Sequence, residues 1–304
     1  MERPDRFTLQ QLRYFLAVAE TRHFTKAAEQ TRVAQPSLSK QIQSLEAELG
    51  TPLFIRVRGN VTLTPAGETL MPIARRILAD VDTAKHEVGE LVGLRRGRVR
   101  VGATPSLCVS VFADVLARYH AQYPGIRLLV EESGSRDLSR SLLRGDLDLA
   151  LVIVPPSGPD PALTSRVVLQ EDLMVACAAD RPPPVNRPTI RLIDLRDRPL
   201  VMFRQGYDLR ETTFEACRAV GYEPKLAVEG GEMDAVLRFV QAGLGFAIVP
   251  SMVLAGRPGL RGIPIAPPGL RRSVALAHRT DVPPTNAAQA FRTVLLEYLA
   301  SLQA

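Results

Sequence analysis

The nine residues from Gln35 to Gln43 combine two patterns with different chemistry. Gln35, Ser37, Ser39, Lys40 and Gln43 carry amide, hydroxyl and ammonium groups suited to base edges and phosphates. Leu38, Ile42, Leu45 and Leu49 recur at three- and four-residue steps, so a helix starting here turns them inward and the polar set outward. Pro36 fits the first helical turn, where its missing N–H forfeits no bond, and a touch on a base or sugar is left open as a second role. Gly50 is placed to end the helix. Arg56 and Arg58 follow in a Gly/Asn-containing segment, where two cations can hold a phosphate backbone without reading sequence. Thr25, at the start of the preceding helix, can do the same. An ordinary solvated helix face is the alternative for any one of these residues; their order along the chain favours DNA.

A second group concerns small molecules. In open α/β sheets ligands sit beyond the carboxyl ends of strands. The rule selects Thr104, Ser106 and Leu107 after one predicted strand and Gly134 and Ser135 after the next. Farther along it selects Phe203, Arg204, Gln205 and Gly206, then Gly230 and Gly231. Thr104 and Ser106 serve either as ligand hydroxyls or as helix N-caps. Arg204 either clamps a carboxylate or is an exposed loop arginine, and Phe203 either lines the site or is core. Asp146 and Asp148 are read as turn residues rather than an acid–base pair.

Catalytic chemistry finds no comparable set. His23, His86, His120 and His278 are scattered without metal-ligand spacing, and no phosphate loop, nucleophile elbow or dinucleotide fingerprint occurs. No enzyme activity, metal or cofactor is therefore expected. Cys108, Cys177 and Cys217 are odd in number and widely separated, which predicts free buried thiols.

The elements that must position these residues follow from periodicity. Leu9, Leu12, Phe15, Leu16 and Ala19 mark a first helix with Thr8 as N-cap. A short helix follows Phe24, with Thr25 available to cap it and Ala27 and Ala28 small enough for close helix approach. The turn Thr31-Arg32-Val33-Ala34 joins it to the Gln35 helix, giving a helix-turn-helix, and Pro52 to Ile55 with Val61 to Leu63 form a hairpin wing. From Thr64-Pro65 a long helix carries Leu70, Ile73, Ile77, Val81, Ala84, Val88 and Leu91, a stripe that calls for a partner helix and hence a dimer; Pro72 is its one irregularity. Beyond Arg95, Arg96, Arg98 and Arg100, strands and helices alternate. Strands are expected at Val99 to Ala103, Ile126 to Glu131 and Leu149 to Val154, with helices at Val109 to Tyr123 and Leu138 to Arg144, a βαβαβ series with a largely parallel sheet. After the Pro-rich stretch Pro155 to Pro161 a second series is expected. Its strands are Asp172 to Ala178, Leu200 to Phe203, Leu226 to Glu229 and Phe246 to Val249; its helices are Leu209 to Val220 and Met233 to Ala242. The strand Val274 to Ala277 and the helix Ala287 to Leu302 return to the first lobe.

These motifs together resemble the LysR-type transcriptional regulators. The matching words are Leu12 to Glu20, Phe24-Thr25-Lys26-Ala27-Ala28, Ala34 to Ile42, Leu45-Glu46, Leu49-Gly50, Leu53-Phe54, Arg56 and Leu63-Thr64-Pro65-Ala66-Gly67. Gly145 to Ala150 and Ala242 to Pro250 extend the likeness more diffusely to the rest of the chain. Two departures are Asn60, at a position usually basic or small, and Lys40, where arginine with its planar fork is common. The resemblance implies an N-terminal all-α winged helix-turn-helix, a long linker helix, and a two-lobed α/β effector domain of the periplasmic-binding-protein-like kind. It further implies promoter DNA as partner, a small anion or polar metabolite as effector, and a homodimer or homotetramer. The expected boundaries are 1–65 for the DNA-binding domain, 66–94 for the linker and 95–304 for the effector domain. Within the last, lobe one is 98–168 plus 272–304 and lobe two is 169–271.

Composition agrees with two globular units. The chain has 304 residues, 46% hydrophobic and 23% charged, which excludes disordered and disulfide-framework classes. Its net charge of +6 suits a polyanion. The charged start lacks the apolar core of a signal peptide, and no run approaches the ~20 apolar residues of a membrane span, so a cytoplasmic protein is expected. A solute-binding protein of similar lobed shape is the alternative, and it leaves the first ninety residues without a use.

Overall fold

The computed structural model describes residues 7–57, 60–90 and 97–303, with residues 56, 57, 60, 86–90 and 303 described through their backbone alone. The described chain divides into two compact units, one reaching Val88 and including Arg144–Asp146, the other holding Gly89–Leu143 and the residues from Leu147 onward.

In the first unit α1 (Leu9–Thr21) opens with a reciprocal cap: the Gln11 N–H donates to Thr8 Oγ1 at 3.2 Å and the Thr8 N–H donates to Gln11 Oε1 at 2.7 Å. The following α2 (Phe24–Gln30) is capped by His23, whose Nδ1 accepts from the Thr25 N–H at 3.2 Å. Thr25 is therefore not the cap expected from the sequence; it lies one position inside the helix, and its hydroxyl is exposed. Then α3 (Gln35–Leu49) begins with Pro36 in its first turn and ends at Gly50 in the left-handed region, φ 69°. The wing is β1 (Phe54–Val57) paired antiparallel with β2 (Asn60–Leu63), register Phe54 with Leu63. One core joins these elements: Phe15, Val18, Ala27, Leu38, Ile42 and Leu45 are fully buried, with Phe15 and Phe24 packed on Phe54 at 5.3 and 5.9 Å between ring centroids.

The long helix α4 (Pro65–Glu90) spans about 40 Å at the α-helical rise. Its first half corrects the simple stripe. Leu70, Met71, Ala74, Ile77 and Leu78 pack on the helix-turn-helix core, while Ile73 is 41% exposed. Only from Val81 onward does the helix run past that core, and Val88 and Leu91 lie outside the described side chains.

The second unit contains a seven-stranded mixed sheet in the order β10-β6-β11-β5-β3-β4, with β9 also on β6. Its strands are β3 (Gly97–Ala103), β4 (Ile126–Glu132), β5 (Leu149–Ile153), β6 (Leu163–Ala178), β9 (Ala247–Pro250), β10 (Leu260–Pro264) and β11 (Arg271–Arg279). The pair β7 (Leu200–Met202) and β8 (Leu226–Glu229) is joined to it through the Leu200–Phe246 bridge. The helices are α5 (Pro105–Leu107), α6 (Ala113–Gln122), α7 (Ser135–Leu143), α8 (Asp208–Ala219), α9 (Met233–Gln241) and α10 (Asn286–Gln303). A π-helical turn, Cys108–Phe112, links α5 to α6.

Only β3, β4 and β5 in that sheet form the expected parallel array; β6, β9, β10 and β11 pair antiparallel. The strand expected at Asp172 to Ala178 is the second half of β6, whose first half pairs with β11 and second half with β9 and β10. One strand thus serves both lobes. Lobe one packs around Phe112, Tyr119 and Phe291, lobe two around Phe203, Leu237 and Ile248.

Candidate nucleic-acid interface and ligand cleft

The polar residues of α3 emerge where its apolar spacing puts them. Leu38, Ile42 and Leu45 are 0% exposed, whereas Gln35, Pro36, Ser37, Lys40 and Gln43 are exposed and Ser39 half-buried. The N-cap residue Ala34 offers no side-chain acceptor, so side chains leave the first-turn amides open to an anion. Arg32, not singled out from the sequence, is exposed in the preceding turn with φ 57° and adds a cation beside α3.

Glu46 ties the wing to this helix. Its Oε1 accepts from the Leu53 N–H at 2.8 Å and from the Phe54 N–H at 3.3 Å. Thr64 completes the joint by donating its hydroxyl to Pro52 O at 2.8 Å and accepting from the Gly67 N–H at 3.1 Å. Neither role is visible in sequence, where Glu46 reads as one more polar residue of a helix. The backbone of Arg56 pairs with Val61 in the wing; its side chain, and Arg58 entirely, lie outside the described residues.

In the second unit Thr104, Ser106 and Leu107 follow β3 and are 2%, 0% and 1% exposed. Thr104 occupies the N-cap position of α5 but makes no side-chain cap bond; its Oγ1 lies 3.3 Å from Ser106 Oγ. That decides against the capping alternative for its hydroxyl. Ser106 Oγ accepts from Arg272 Nη2 at 2.8 Å, and Arg272 Nε donates to Glu171 Oε1 at 2.6 Å. Arg272 and Glu171, opposite each other on β11 and β6, are the charged pair that the strand-end rule did not find. Leu107 belongs to the lobe-one core and Phe203 to the lobe-two core, the plainer of the readings for Phe203.

Ser135 bridges the lobes, donating to Asp208 Oδ2 at 2.7 Å and accepting from the Ile153 N–H at 3.0 Å. A side chain on neighbouring Gly134 would put its Cβ 3.1 Å from the Gly206 carbonyl oxygen, so the chains approach closely here. Gly206, Gly230 and Gly231 adopt φ of 78°, 118° and 89°, and Gln205 is exposed beside Gly206. Arg204 is no free clamp: its Nε donates to Glu232 at 2.7 Å. Tyr207 stacks on Phe203 with centroids 4.7 Å apart and is 2% exposed, yet its hydroxyl has no hydrogen-bond partner among the described residues.

Cys108 is half-buried, contrary to full burial, and faces Glu132. Burial first, and that carboxylate second, push its thiol up to about 12; burial also raises Cys177 and Cys217. Glu132 is itself raised, by desolvation and then by Glu232. No helix among the described residues is long and apolar enough to cross a membrane.

Residues 9–68 match the family model described as bacterial regulatory helix-turn-helix protein, lysR family, and residues 93–300 match that described as LysR substrate binding domain. The chain is 30% identical to the transcriptional dual regulator GltC of Bacillus subtilis (strain 168), over 97% of this chain and 98% of that one. A full-length OxyR variant from Pseudomonas aeruginosa superposes with a TM-score of 0.71 at 26% identity, covering 96% of this chain and 98% of the other. Full-length CbnR solved with its target DNA shares the fold at a TM-score of 0.71 and 24% identity, covering 97% and 99%.

Proposed function

Since the chain belongs to the LysR family of transcriptional regulators, we propose that its DNA grip is made by Gln35, Pro36, Ser37, Ser39, Lys40 and Gln43 on α3, with Thr25, Arg56 and Arg58 on flanking phosphates. The observation that carries this is the division of α3 into a fully buried apolar stripe and an exposed polar first turn. Gln and Ser side chains present the donors and acceptors that base edges require, and Lys40 supplies charge. The partner is duplex promoter DNA, read by a homodimer or a tetramer built from dimers, in the cytoplasm. No catalytic step is assigned; binding alone accounts for the function. A solute-binding protein, the competing reading, has no use for a helix-turn-helix.

The effector half responds to a small molecule held near Thr104, Ser106, Gly134, Ser135, Arg204, Gln205, Gly206, Gly230 and Gly231. Such a ligand regulates only by favouring one of two arrangements through unequal affinity.

A salt series on promoter DNA tests the grip. Each phosphate contact contributes a slope of about −0.9 in log K against log salt, so Lys40→Ala with Arg56→Ala should flatten the wild-type slope by roughly 2 and weaken binding at every salt concentration. Equal, negligible binding by wild type and variant would overturn the assignment.

A further inference from the structure

The cleft between the lobes is biased in charge. The arginines near it each already hold a carboxylate: Arg204 with Glu232 at 2.7 Å and Arg272 with Glu171 at 2.5 Å, and behind them in lobe two Arg210 with Glu229 at 2.9 Å. Glu132, at the end of β4 in lobe one, has no basic partner among the described residues, nor has Asp208 at the start of α8 in lobe two. The Glu132 carboxyl faces Glu232 across the lobes, with Cys108 and Asp234 near it; Asp234 is itself paired with Arg257 at 2.6 Å. A ligand carrying only a carboxylate finds each of these arginines already paired. A ligand cation finds an uncompensated carboxylate waiting.

The second observation is independent of charge. The Tyr207 hydroxyl lies among Ser106, Asp208, Glu232 and Arg272, faces Ser106 without completing a hydrogen bond, and is unpartnered in a side chain 2% exposed. A buried hydroxyl left unpaired costs about 1–3 kcal/mol, so native proteins rarely keep one without a partner that arrives later. Ser106 Oγ accepts from Arg272 and makes no hydrogen bond with Tyr207, so the Tyr207 O–H can donate to an incoming acceptor.

We propose that the cleft takes a small molecule bearing a protonated amine and an oxygen acceptor, an amino acid being the simplest such compound, with the amine between Glu132 and Glu232 and the oxygen on the Tyr207 hydroxyl. This rests on reading the interlobe cleft as the effector site and narrows the small anion or polar metabolite implied by the family resemblance to a zwitterion. The cation relieves the repulsion between two carboxylates belonging to different lobes, so it favours their approach. Burial and then Glu232 raise the Glu132 pKa, so the carboxylate that receives the amine is protonated earlier as pH falls and amine binding weakens toward acid, with Cys108, Glu232, Asp234 and Arg204 the other ionisable groups facing the pair.

The test uses the full chain and two panels matched in carbon skeleton: L-alanine, L-leucine, L-lysine and L-glutamate, against the corresponding 2-hydroxy acids. At least one amino acid should raise the melting temperature by about 3 °C or more at saturation, its hydroxy counterpart by none. Glu132→Gln should weaken that amino acid at least about tenfold, and Tyr207→Phe, which keeps the stacked ring, about fivefold. Glu232→Gln, by releasing Arg204, should shift preference toward the hydroxy acid. Melting of each unliganded variant reports whether it folds, and the wild-type panels decide the class on their own. Stabilisation by hydroxy acids alone overturns the amine and leaves the cleft standing; no stabilisation by either panel overturns both.

Discussion

Arg272 and Glu171 bring opposite charges into the strands that pass between the lobes, with side chains 6% and 3% exposed. Such a pair costs much of its Coulombic gain in desolvation, but removing one partner strands the other. Arg272→Ala is therefore expected to lose about 3–5 kcal/mol of unfolding free energy in a denaturant titration, and to leave Ser106 Oγ without its donor as well. A loss below about 1 kcal/mol would show that water reaches Glu171 once the arginine is gone. The sequence offered no route to this pair, because its members stand 101 residues apart and only strand register brings them together. Thr104 and Ser106 were legible, since the ends of strands can be read from local pattern. What they touch was not. The same holds for Arg204: its position in the loop followed from the strand before it, whereas its engagement with Glu232 depends on the turn at Gly230 and Gly231.

Among elements, the joint between wing and long helix shows how a motif acquires its reason. Gly67 sits in the first turn of α4, where an added Cβ would lie 2.3 Å from the Leu53 carbonyl oxygen and 2.8 Å from Leu63. The obstacle is backbone, already accepting from the Thr64 N–H, so it cannot swing aside. Gly67→Ala must push α4 from the wing despite alanine's better helix propensity, and a cost of about 1–3 kcal/mol is expected for such overpacking. Calorimetry would show it as a lowered transition for the DNA-binding unit, and an unchanged or raised transition would refute the clash. The word Thr64-Pro65-Ala66-Gly67 could be recognised from sequence; the clash that requires its glycine could not. Strand β6 taught the converse. Its first half opens on the consecutive polar residues Thr164, Ser165 and Arg166, with no burial alternation to mark a strand, and pairing with β11 overrides the local pattern.

For the whole molecule, the two units have separate cores, yet a regulator needs its DNA heads joined in pairs so that two modest contacts add. We propose that the joining surface is the part of α4 beyond the residues that pack on the helix-turn-helix core. Packing on the helix-turn-helix core ends at Leu78, and Val81 and Ala84 continue the apolar repeat beyond it. A glutamate at Val81 would place a charge in the seam of a helix pair without touching the head or the cleft. Val81→Glu is thus expected to sediment as a smaller species than wild type and to bind a promoter fragment carrying two half-sites at least about a hundredfold more weakly. Its thermal response to small molecules should survive, because the cleft is built entirely within the second unit. Retention of the wild-type sedimentation coefficient would move the assembly surface off α4. A monomer that kept full affinity would instead show that a single α3 and wing suffice to hold the promoter.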